Sequence, residues 1–218
     1  MTTTMLGQGL YDAAEVARLL GHDVEWVVRW STNSANGRAI VTPTFDRWFS
    51  FSDLVAFRVA LLVRENNISD RRLRRAVDTL RNRTGLTQPL ADQEVISRLA
   101  TSGDSFLLRL PDHQFEDIGQ GGQGVFANAV ELYLSNIVFD DHGTPTRWLP
   151  AEGVVIDPAI QAGAPCVAGT RIPTATIADL LIEEYPEDVA ADFDLSIEAV
   201  LLAEKFEEML AAGLGLAA

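Results

Sequence analysis

The sequence predicts a mainly α fold with minor β, an α+β chain, and three observations carry that prediction. Capped helices with apolar stripes follow one another through residues 10–83, and short β-prone runs broken by Gly, Asn and Pro occupy the middle. Apolar residues at helical spacing then return from about residue 174 onward. With 47% hydrophobic and 22% charged residues, the chain has the composition of one that packs a core.

The helices announce themselves by their ends. Tyr11-Asp12-Ala13-Ala14-Glu15-Val16 reads as a capping box, with Asp12 accepting from the Glu15 amide and Tyr11 and Val16 as the hydrophobic staple. Val16, Leu19 and Leu20 follow at helical spacing, and Gly21 ends the helix. Asp23 caps a second helix, Val24 to about Trp30, and two helices joined by so short a turn form a helix-turn-helix signature. In residues 31–49, Asn36-Gly37 is a hairpin turn signal before a β-prone run, the place and length of a wing. Ser50 caps a third helix, with Phe49 and Leu54 as its staple and Asp53 in its first turn. A fourth starts at Ser69, with Leu73, Ala76, Val77 and Leu80 as its apolar stripe and Arg71, Arg74 and Arg75 along another face.

The middle is expected to hold strands at Phe106–Leu110 and Ile137–Asp140 with a helix, Val125–Leu134, between them, followed by a connection from Pro145 to Pro150. A strand at GVVID and a Gly/Pro-rich stretch from Asp157 to Pro173 lead to three helices, at about 174–184, 187–193 and 196–212. The organisation predicted is therefore residues 1–99, an α/β connector over 100–150, and a second helix-turn-helix-like domain over 151–218.

Charge divides the chain by sign. Residues 1–99 carry 13 arginines against 11 carboxylates, a net of +2 within a total of −14. Residues 100–147 sum to −5 and residues 148–218 to −11. A polyanion is admitted only by the N-terminal third. No run of 18 apolar residues occurs and MTTTMLGQG lacks a charged start before an apolar segment, so neither a membrane span nor a secretory leader is expected. A single cysteine, Cys166, fits a reducing cytoplasm and reads as a small buried residue. Gly119-x-Gly121-x-x-Gly124 matches a dinucleotide fingerprint but has too little chain around it for a nucleotide domain. Asp140-Asp141-His142 precedes an exposed turn, and three histidines with one cysteine leave no nucleophile–base pair. No enzyme, cofactor or metal site is expected.

Residues 10–83 resemble the DNA-binding domain of the MerR family. Arg29-Trp30 stands where that family has Arg plus an aromatic, and Arg47-x-Phe49-Ser50-x-x-Asp53-Leu54 where it has an Arg-x-Tyr-Ser wing. The resemblance implies DNA contacts at Arg29, Arg47 and Phe49, with the wing Tyr replaced by Phe49. Glu25 and Trp30 of the second helix, Arg38, and the Arg71, Arg74 and Arg75 face complete the expected DNA-binding set.

Asp157-Pro158-x-Ile160-x-x-Gly163-x-Pro165-x-Val167-x-Gly169-Thr170-Arg171-Ile172-Pro173 resembles a prokaryotic domain family of unknown function with a Gly-Thr-Arg-Ile-Pro motif, whose members include VapB-type antitoxins. That likeness implies an antitoxin autoregulating its operon and neutralising a VapC-like PIN-domain ribonuclease. Ala164 and Ala168 replace the family's usual basic residues, and Glu198, Glu204, Glu207 and Glu208 would repel phosphates, so this end is expected to bind protein rather than DNA. Gly169, Thr170, Arg171, Ile172, Pro173, Val200, Leu201, Leu202 and Met209 are the expected toxin or homodimer contacts. Consecutive Val200-Leu201-Leu202 predicts a helix buried on more than one face, against its own core together with a dimer or toxin contact, or against its own core alone. Arg171 either reaches a partner's carboxylates or pairs with Asp157 or Asp179. The alternatives to an antitoxin are a stand-alone MerR-like regulator and a protein-only adaptor.

Overall fold

The computed structural model describes residues 6–35, 37–102, 105–111, 114–119, 123–125, 130–131 and 136–213. The chain is mixed α and β, consistent with the α+β class that the sequence predicts, and its strands form two small sheets. Helices α1 (Ala13–Leu20), α2 (Val24–Ser31), α3 (Phe51–Glu65) and α4 (Asp70–Thr84) come first, and a short α5 (Gln93–Ile96) follows a 3-10 turn. Their starts are fixed by side-chain acceptors at Asp12, Asp23, Ser50 and Ser69. At α3 the box is reciprocal: the Asp53 amide donates to the Ser50 hydroxyl and the Ser50 amide to the Asp53 carboxylate.

Strands β1 (Leu99–Ser102), β2 (Ser105–Arg109), β3 (Phe115–Asp117), β4 (Gln123–Val125) and β5 (Val130–Glu131) form an antiparallel sheet in the order β4-β3-β2-β1-β5. The helix expected over Val125–Leu134 is therefore corrected. Val125 pairs with Phe115, and Val130 and Glu131 pair with Thr101 and Ala100, so the described part is strand. Residues 126–129 and 132–134 lie outside the described residues, as does Gly121 of the glycine fingerprint. Strand, not helix, holds the last glycine of that fingerprint, Gly124.

A second antiparallel sheet, in the order β6-β7-β8-β9, comprises β6 (Ile137–Phe139), β7 (Pro145–Ala151), β8 (Val154–Ile156) and β9 (Pro165–Val167). Strand β7 occupies the expected Pro145–Pro150 connection. Its prolines fall where they cost no ladder bond, at the first residue and inside the register shift between Trp148 and Ala151. Helices α6 (Thr174–Leu180), α7 (Pro186–Phe193) and α8 (Ile197–Ala211) close the chain.

The expected wing is also corrected. Residues 34–48 form two single-bridge turns, Ser34 with Gly37 and Phe45 with Trp48, and Asn36 itself lies outside the described residues. The β-prone run cannot ladder because its polar backbone is used elsewhere. The Ile40 and Val41 amides donate to the Trp30 carbonyl, while the Ala39 and Ile40 carbonyls accept from Arg81.

One apolar cluster joins both ends of the chain, from Tyr11, Trp30 and Phe57 to Phe206 and Leu210. A smaller one gathers Val167, Ile177, Val189, Val200 and Ala203. Helix α8 contributes Val200 and Ala203 to the smaller cluster and Phe206 and Leu210 to the larger. Polar ties reinforce the closure: the Tyr11 hydroxyl donates to the Gly163 carbonyl at 2.9 Å, and Arg18 donates to Glu207 at 2.9 Å.

Arg83 grips Glu116 through two bonds of 2.7 and 2.6 Å, joining the end of α4 to β3. That hydrogen bonding holds the Glu116 carboxyl below the usual carboxylate range. A depressed folded-state pKa gives stability that is present above the unfolded pKa and lost as pH falls through the folded one. Urea titrations below about pH 4.5 should therefore show a steeper acid loss in the wild type than in Glu116→Gln. Equal slopes would refute the assignment.

Candidate functional site

Helix α2 buries one face and leaves the other standing out. Trp26, Val27 and Trp30 are buried, with Trp26 against His22 and Trp30 at 4.4 Å and against Phe57 at 5.7 Å. The helical period then turns Val24, Glu25, Val28 and Arg29 outward, and Val24 and Val28 remain 43% and 50% exposed. A groove of about 670 Å³ runs on the α4 side, lined by Val24, Val28, Arg29, Thr32 and Arg71 among others. A second, of about 550 Å³, runs on the other side and includes Val28, Ser31, Thr32, Arg47 and Trp48. Val28 and Thr32 line both, so α2 is a ridge between two troughs.

The arginines near this ridge differ in role. Arg71 is exposed and has no ion pair among the described residues. Arg47 is exposed, with its guanidinium 6.0 Å from the Trp48 ring centre. Arg29 makes only a long contact to Asp70, 3.8 Å, and Asp70 is shared with Arg64. Arg38 pairs with Asp78 at 3.0 Å, and Arg75 reaches the Gly119 carbonyl at 3.5 Å.

Three expected DNA contacts are corrected. Trp30 is fully buried, with its indole N–H on Asp70, and Phe49 is buried edge-on against Phe57. Arg74, 4% exposed, donates to the carbonyls of Arg29 at 2.5 Å, Arg38 at 2.8 Å and Thr32 at 3.1 Å. It ties the end of α2 to the following turn, and burial pulls its pKa below the ordinary arginine value. Arg81 does the same for the carbonyls of Ala39, Ile40 and Thr87. Sequence reasoning missed Arg81, although its position seven residues after Arg74 puts both beside Val77 on the helix.

At the other end, Gly169-Thr170-Arg171-Ile172-Pro173 is a tight turn. The Thr170 amide and hydroxyl both donate to the Val167 carbonyl, and Gly169 has φ +79°. Arg171 is exposed without an ion pair among the described residues, because Asp157 pairs with Arg147 instead. Val200 is buried inside the smaller cluster, and Leu202, half-buried, packs on Gly153. Met209 packs against the larger core cluster. Leu201 remains exposed with Ile182, Tyr185 and Ile197, amid acidic side chains.

Residues 154–206 match the family described as "Protein of unknown function (DUF433)". The crystal structure of Rv2018 from Mycobacterium tuberculosis is similar over 91% of this chain and 98% of that one, at 22% identity and a TM-score of 0.63. At that identity the likeness establishes the fold. No curated protein matches the chain. Among the described residues, no helix is long and apolar enough to cross a membrane.

Proposed function

We propose that this chain is a cytoplasmic DNA-binding antitoxin of a type II toxin–antitoxin pair, not an enzyme. It acts as a homodimer that holds operator DNA at the α1–α2 end and occupies a VapC-like PIN-domain ribonuclease with its acidic C-terminal third. In this reading α1, the three-residue turn and α2 are a helix-turn-helix with short turns in place of a wing, and α6–α8 form a second, protein-binding one. The observation that carries it is the α2 ridge: a helix standing out between two arginine-bearing troughs, within residues 1–99, the net-positive stretch of a −14 chain. The MerR resemblance over residues 10–83 and the Gly-Thr-Arg-Ile-Pro motif support the same assignment.

Mobility shifts with the promoter of the gene's own operon should show specific binding by the full chain. Arg71→Ala and Arg47→Ala should each weaken it and lower the salt slope by about 0.9, one phosphate apiece. Co-purification with the neighbouring gene product tests the toxin half. DNA binding without that complex would leave a stand-alone regulator, and neither would leave the adaptor.

A further inference from the structure

The polar groups of the α2 ridge are familiar in a DNA-facing helix, but its two most prominent side chains are apolar. Val24 and Val28 stand half exposed, four residues apart, on a face whose other outward members are Glu25, Arg29 and Thr32. Among the described residues, none covers them fully. The troughs on either side hold exposed guanidiniums, Arg71 in one, with Glu25 and Asp70, and Arg47 in the other, with Asp12 and Asp46, so the complementary surface is apolar along its middle with an anionic group within reach of a guanidinium on each side. A B-form major groove at thymines has that layout. It is about 12 Å wide between two phosphate strands, and thymine 5-methyl groups project into it.

Resting on the DNA-binding reading above, we propose that Val24 and Val28 read two thymine 5-methyl groups while the phosphate strands seat in the flanking troughs. The spacing agrees. Four helical residues rise about 6 Å, close to the roughly 6.8 Å spanned by two nucleotide steps of one strand. The two thymines therefore lie two steps apart on the same strand. Glu25, beside Val24 at the start of the helix, is an acceptor facing the groove floor. It suits the N4 amino group of a cytosine and is unsuited to a phosphate.

The test uses the full chain and a pool of duplexes with a randomised core, enriched by rounds of binding. The enriched duplexes should share two thymines separated by one nucleotide. Replacing either with deoxyuridine removes only the methyl and should weaken binding about fourfold, the worth of one buried methylene-sized group. Val24→Ala and Val28→Ala should each abolish the thymine-over-uracil preference at one position. Arg71→Ala should weaken the thymine and uracil duplexes equally. Uracil tolerated within twofold at every position, or valine variants that discriminate like the wild type, would overturn the inference while leaving DNA binding standing. A pool that yields no enriched duplex would overturn the DNA-binding reading itself, and this inference with it. Both valines are solvent-exposed, so the variants should fold, and an unchanged circular dichroism melt verifies it.

Discussion

Arg74→Met is expected to destabilise the chain by about 3 to 5 kcal/mol, while Arg71→Met, one helical turn away, should change stability by less than about 0.5 kcal/mol. Methionine keeps the stem's volume and removes the charge, so the comparison isolates the guanidinium. At position 74 that group satisfies three carbonyls, those of Arg29, Thr32 and Arg38, in a site almost closed to water. Its loss leaves acceptors buried without donors, which costs more than the hydrogen bonds themselves contributed. At position 71 the side chain is solvated and has no ion pair among the described residues, so nothing is left unpaired. Urea melts should show a lower midpoint at unchanged slope for Arg74→Met. DNA affinity should order differently: Arg71→Met weakens binding while the fold is intact. Equal stabilities would mean that Arg74 is not the clamp.

This contrast also shows what the sequence can and cannot disclose. Arg71, Arg72, Arg74 and Arg75 look alike in a row of letters, and grouping them as one basic face is natural. The helical period separates them: Arg74 borders the Leu73–Val77 stripe, whereas Arg71 and Arg75 point away from it. That signal was available at 74 and again at 81, and only the targets, carbonyls some 40 residues distant in sequence, were not. Helix starts were legible because caps are local: Asp12, Asp23 and Ser50 each bond an amide three residues on. Of the middle sheet only β2, Ser105–Arg109, was legible, at the expected Phe106–Leu110; its neighbours, strands of two to four residues, carry too few alternations to reveal a period, and their partners are set by tertiary pairing. Of the Val200–Leu202 triplet, which announced a helix buried on more than one face, Val200 is buried and Leu202 half-buried, while Leu201 stays 45% exposed. Its sequence could not say that Leu202 meets Gly153.

Gly163→Ala should cost about 4 kcal/mol, whereas Gly169→Ala, in the same matched segment and with a similar backbone, should cost only about 1 kcal/mol. Both glycines adopt left-handed φ, +91° and +79°, so both substitutions carry the strain of an L side chain there. They differ in surroundings. A methyl at 169 meets nothing within 4 Å, while one at 163 collides with the Tyr11 hydroxyl and lies 2.8 Å from its ring carbon. Tyr11 cannot step aside, since it is fully buried and bridges Phe49 through both backbone groups. The loop cannot back away freely either, because the Ala162 carbonyl accepts from the Leu10 amide at 2.8 Å. The clash therefore displaces the tie that holds the 161–163 turn on the entry to α1. Tyr11→Phe alone should cost about 1 to 3 kcal/mol by leaving the Gly163 carbonyl without its donor. Combined with Gly163→Ala it should cost clearly less than the sum, because the hydroxyl that bonds glycine is the atom that obstructs alanine. Additive losses, or a Gly163→Ala variant as mild as Gly169→Ala, would show that this contact does not hold the two ends of the chain together.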